Sequence, residues 1–142
     1  MYAALLFFHF IGIALGVGTG FAFLRLGGVV KSLPMAERFP FFERVSVLAK
    51  NGSIGLALLI LTGLGMMAFR GFAETMAWGG GALHAKLGLV VLLSGALGYQ
   101  QMVTKRVKKE NGGPSMALLP KLGLVTLSLS LATVAAAVAA FK

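Results

Sequence analysis

The chain is a succession of long apolar runs separated by polar connections. Apolar runs cover Tyr2 to Leu24, Asn51 to Phe69, Ala82 to Val103 and Leu122 to Phe141. Each approaches the ~20 residues a helix needs to cross the hydrocarbon of a bilayer. A spanning segment must satisfy its own backbone polar groups, so each run is predicted to be an α-helix. The third connection, "TKRVKKENGGPS", is short and polar, with Gly112, Gly113 and Pro114 as a helix stop. The first, "GGVVKSLPMAERFPFFERVSVLAK", carries Pro34 and Pro40, which are predicted to interrupt any single helix. After Pro40, the mixture of Phe41, Phe42, Val45, Val47 and Leu48 with Glu43 and Arg44 fits an interfacial helix entering the second span. Short connections make sequential spans antiparallel. The pattern therefore predicts an all-α integral membrane protein, a single four-span domain over residues 1–142 folded as an up-down-up-down four-helix bundle. In that order the first and third spans are parallel and diagonally opposed.

Composition strengthens the membrane reading: 58% of the residues are hydrophobic and 12% charged, with a mean hydropathy of +0.90. The first run has no basic residues ahead of it and no small-residue cleavage pattern behind it, so it is expected to be a retained span. The absence of cysteine excludes disulfides, thiolate metal sites and thiol catalysis. The only acids, Glu37, Glu43, Glu74 and Glu110, fall in or beside connections, so no carboxylate pair or phosphate loop offers hydrolytic or phosphoryl-transfer chemistry.

The net charge of +9 is sorted by connection. Arg25, Lys31, Arg38, Arg44 and Lys50 belong to the first connection and Lys105, Arg106, Lys108, Lys109 and Lys121 to the third; Arg70, Lys86 and Lys142 remain for the other side. By the positive-inside rule the first and third connections are cytoplasmic, and both termini and the Gly-rich "RGFAETMAWGGG" face outward. Topology and attraction to anionic lipid account for the charge, which excludes nucleic acid as a partner.

Candidate chemistry rests on the only two histidines, His9 in the first span and His84 in the third. Both are expected near the outer side, about 6 Å apart in depth at 1.5 Å per residue. At 100° per residue His9 shares a face with Gly12, Ile13, Gly16 and Gly20, and His84 with Gly88, Val91 and Gly95. Such small-residue faces suit close helix packing, including contact with a second copy. They equally leave room for a planar macrocycle between two axial imidazoles, and an ionisable residue inside a span is a functional candidate by default. Haem b on His9 and His84 is thus one expectation. Copper is another, because Met66, Met67 and Met76 lie toward the same side and thioethers with imidazole suit Cu(I). A third is a structural or assembly subunit in which both histidines satisfy local hydrogen bonds. Arg70 either pairs with haem propionates or anchors the span; Lys86, about 200° around the helix from His84, reads from geometry as a snorkelling lysine.

His9 in the first span, "FLRL" closing it at Arg25, and "LHAKLGLVVLL" opening the third resemble the four-span HemJ-type haem-containing protoporphyrinogen oxidases and, more loosely, the copper-resistance protein D superfamily. The resemblance implies a bacterial inner-membrane haem protein whose functional positions fall on His9, His84 and Lys86, with a tetrapyrrole as substrate and a membrane acceptor such as quinone. The first span here ends "GVGTGFAFLRL", without the tryptophan, tyrosine and proline of that family. A haem-binding relative with electron transfer but no protoporphyrinogen oxidation therefore stands beside the enzyme.

Overall fold

The computed structural model describes residues 1–140, entirely as helices and the turns between them. Phe141, where the fourth predicted span ends, and Lys142 lie outside the described residues. The long helices are α1 (Tyr2–Ser32), α3 (Ala49–Arg70), α4 (Phe72–Lys109) and α5 (Leu119–Ala140); α2 (Met35–Val45) is the short helix between the first two. All four long helices are apolar and long enough to cross a membrane. The molecule is an all-α, multi-pass membrane bundle.

Packing follows the order α1, α3, α4, α5 around the bundle axis. The closest pairs are α1 with α3 and α4 with α5; α1 also packs on α5, whereas α3 and α4 touch much less. The diagonal pair, α1 and α4, is held apart. This is the predicted antiparallel order. We call the end with the two positively charged connections the basic end, and the end with Tyr2, Arg70 and Trp78 the aromatic end.

The polarity is inverted relative to a water-soluble bundle. Phe7, Phe10, Leu61, Val91, Leu92 and Met102 are each at least 60% exposed, while the buried set includes His9, Thr62, Thr126 and Thr133. Large apolar side chains face lipid, and small or hydroxyl-bearing ones let the helices approach. Gly12 and Gly55 make the α1–α3 crossing: a Cβ on Gly55 would stand 2.8 Å from both the Gly12 carbonyl and the Gly16 nitrogen.

Several helix ends differ from the predicted spans for local reasons. α1 continues past Leu24 to Ser32, where Pro34 stops it, and the Arg38 guanidinium donates from Nε to the Leu33 carbonyl at 3.0 Å and from Nη2 to that of Lys31 at 3.4 Å. A cation supplying donors to the last carbonyls of a helix closes its negative end. Pro40, in contrast, does not break α2. The bond it removes would end on Ala36, and both residues are exposed, so no buried carbonyl is left unpaired. A 3-10 turn, Ser46–Leu48, then leads into α3.

At the aromatic end the predicted Gly-rich loop is a single left-handed residue, Gly71 (φ +93°), followed at once by α4. That helix breaks at Gly80, whose φ of 50° and ψ of −150° are open only to glycine. At the basic end α4 closes on Asn111 (φ 48°) and Gly112 (φ 99°), the Gly112 N–H returning 2.9 Å to the Val107 carbonyl.

Candidate functional site

Because α1 and α4 touch little if at all, a cavity of about 250 Å³ lies between the helices. Tyr2, Arg70 and Trp78 line its aromatic end, His9 and Lys86 the next level, and Ser53, Gln100, Gln101 and Thr104 the basic end. Most of the wall between them is apolar, with Leu56, Leu59, Leu87, Val90, Leu93 and Leu97 contributed by α3 and α4.

His9 is fixed by α3. Its Nδ1 lies 2.8 Å from the Thr62 hydroxyl, and that hydroxyl lies 2.5 Å from the Leu58 carbonyl one turn back in its own helix. A carbonyl only accepts, so the threonine proton belongs to Leu58, and the contact with His9 is a hydrogen bond when Nδ1 carries the ring proton. The tautomer assigned from this network leaves Nε2 with a bare lone pair. His9 is only 9% exposed. No buried side-chain nitrogen or oxygen among the described residues lacks a hydrogen bond, so the unbonded Nε2 is not fully enclosed, and His9 lines the cavity. A second group orienting the ring and setting its tautomer is the usual support of a histidine ligand.

His84 lies elsewhere. It is exposed, as are Gly88, Val91 and Gly95 on its face, and none of the four lines the cavity. Its Nδ1 donates to the Gly80 carbonyl at 2.7 Å, beside the Gly80 break. The structure thus places His84, Gly88 and Gly95 outside the cavity that His9 lines. The reason is the phase of α4, which turns Lys86, Leu87, Val90 and Leu93 inward.

Lys86, read from geometry as a snorkelling lysine, lines the cavity. No carboxylate among the described residues pairs with this lysine. At the aromatic end the Arg70 guanidinium lies 5.3 Å from the Trp78 ring centroid and 5.8 Å from that of Tyr2, a cation–π pair that closes this end of the cavity. Of the predicted glycines, Gly16 and Gly20 line the cavity. A Cβ on Gly16 would meet nothing within 4 Å, whereas one on Gly20 would meet Leu127 of α5 at 2.9 Å, so Gly16 provides space and Gly20 packing. Met66 and Met67 line the cavity and Met76 does not.

Sequence reasoning missed the amides of Gln100 and Gln101, whose signal was present as two adjacent amides inside an apolar run. No group of three or more His, Cys, Asp or Glu side chains able to hold a metal ion occurs among the described residues. Comparison of the chain with protein-family models, with curated proteins and with solved structures finds no match. Fold and site thus define a membrane four-helix bundle with a cavity between its helices, carrying one imidazole and two cations.

Proposed function

We propose that this protein is a b-type haem protein of the bacterial inner membrane, with an electron-transfer role, in which His9 of the cavity lining would hold the haem iron. The observation that carries the proposal is the Thr62-fixed imidazole in the lining of an apolar cavity, with Nε2 left unbonded. Neutral imidazole is a good ligand for haem iron, and an apolar surround excludes water from it. Lys86 and Arg70, cations on the same cavity, suit the two propionates of the macrocycle, and Gly16 leaves its wall open. At about 250 Å³ the cavity is somewhat below the ~300–1,000 Å³ of typical ligand sites, so a macrocycle requires the loosely packed α3–α4 seam to part. When bound, haem would supply one-electron redox chemistry; the chain's own residues supply ligand, counter-charges and burial.

The resemblance to the HemJ-type family supports the same reading and suggests its enzymic form, oxidation of a tetrapyrrole with a quinone-like acceptor. The charge distribution supports a topology with the basic end in the cytoplasm and both termini outside. A second reading is favoured by Met66 and Met67, which share the cavity with His9 and would suit Cu(I). The test is the visible spectrum of protein purified in mild detergent, oxidised and dithionite-reduced, beside metal analysis of the same sample. A Soret band that shifts on reduction supports haem. A colourless protein that stays colourless after haem is added, and contains copper, replaces it with the second reading.

A further inference from the structure

The basic end of the cavity differs in chemistry from the His9 level, for it has no charge. Gln100 lies 3.3 Å through its amide from the Thr126 hydroxyl of α5, and Gln101 donates through Nε2 at 2.6 Å to the Ser53 hydroxyl of α3. Each amide is thus engaged at one end, and the other end has no partner among the described residues. Both side chains line the cavity, and Gln101 is exposed where α3 and α4 touch little. A Cβ on Gly123, at the same end, would meet nothing within 4 Å, so space remains beside the amides.

We infer that this end of the cavity binds an uncharged lipophile whose head carries carbonyl or hydroxyl oxygens and whose tail lies along the apolar wall, entering from the bilayer between α3 and α4. An amide end offers both donor and acceptor capacity without charge, so it matches a neutral oxygen-bearing head and gives nothing extra to a carboxylate or phosphate. The unbonded amide ends are accessible rather than buried, so the oxygens of an entering ligand can reach them and complete their hydrogen bonds. Quinones and acylglycerols both carry such heads. The inference stands on Gln100 and Gln101 and does not depend on His9 or haem.

The experiment is photolabelling of the full chain in lipid nanodiscs with an azide-bearing, short-tailed benzoquinone, with labelled peptides mapped by mass spectrometry. The expected result is saturable labelling of the segments around Ser53 and Gln100–Thr104. Displacement by unlabelled decyl-benzoquinone but not by monoolein identifies a quinone site; the reverse order identifies an acylglycerol site. Q100L/Q101L is expected to lower labelling at least tenfold, while H84A, outside the cavity, leaves it unchanged. Gly123→Leu, which fills the space without touching either amide, should abolish labelling as well and covers the case in which the double variant misfolds; helical circular dichroism and monodisperse elution report folding. Labelling spread over the lipid-facing helix surfaces, labelling displaced by neither competitor, or labelling unchanged in folded variants overturns the inference.

Discussion

The hydrogen bond between His9 and Thr62 joins α1 to α3 and also sets the imidazole tautomer. These two consequences separate by substitution. Thr62→Val removes the acceptor while keeping the shape, and an interhelical side-chain bond in a membrane bundle contributes about 1 kcal/mol. Thr62→Val should therefore lower stability by about that amount in SDS-titration unfolding, and Thr62→Ser should restore it. The larger effect is expected on ligand affinity, because a freed imidazole loses its orientation and its fixed lone pair; haem titration of the two variants measures this. Loss of the group that orients a metal-binding imidazole costs about 10–100-fold in metal affinity. No change in either quantity would show that Thr62 does not position the ring.

At the scale of the helices, α1 and α3 are locked by backbone contact and α3 and α4 are not. Gly55→Ala places a methyl group 2.8 Å from the Gly12 carbonyl, and backbone cannot yield as a side-chain end does. The helices must separate, at about 1–3 kcal/mol. Gly18→Ala, into open space, should be neutral or slightly stabilising. Unfolding of the two variants in the same detergent checks the contrast; equal effects would argue against the close crossing. Helix identity and order were legible in the sequence, because length and polarity alone dictate spanning helices. The inward face of α4 was not, since in lipid both faces are apolar and hydrophobicity does not sort inside from outside. The stripe of His84, Gly88 and Gly95 carried the usual marks of a packed face, yet it is exposed. Lys86 and His84 lie about 200° apart, so only one could face the cavity, and the packing of the bundle selects Lys86. The Gly80 break was equally hidden, for a run of three glycines reads as a loop rather than as a kink inside a helix.

At the scale of the whole molecule, the bundle is polarised, with ten of its thirteen Lys and Arg residues in or beside the connections of one end. That asymmetry sets orientation at insertion. The chain has no cysteine, so single cysteines report topology cleanly. Ser115→Cys, at the basic end, should react with a membrane-impermeant maleimide only after cells are opened, and Glu74→Cys, at the aromatic end, in intact cells. The reverse pattern would invert the assignment and place Arg70 and Trp78 on the cytoplasmic side. The same polarity orders the cavity, with cations and the imidazole toward the aromatic end and neutral amides toward the basic end. How His9 meets Thr62 depends on the α1–α3 crossing and was not readable from spacing; that a histidine inside a span marks a site was readable, because such a residue is costly unless it has partners.

The claim that the cavity-side imidazole of His9 is the haem ligand is tested most directly by comparing His9→Ala with His84→Ala, both reconstituted with haem and recorded oxidised and reduced. The account predicts that His9→Ala loses the Soret absorption of bound haem while His84→Ala retains it, both variants keeping wild-type helical content. Equal loss in His84→Ala, or retention in His9→Ala, would contradict it.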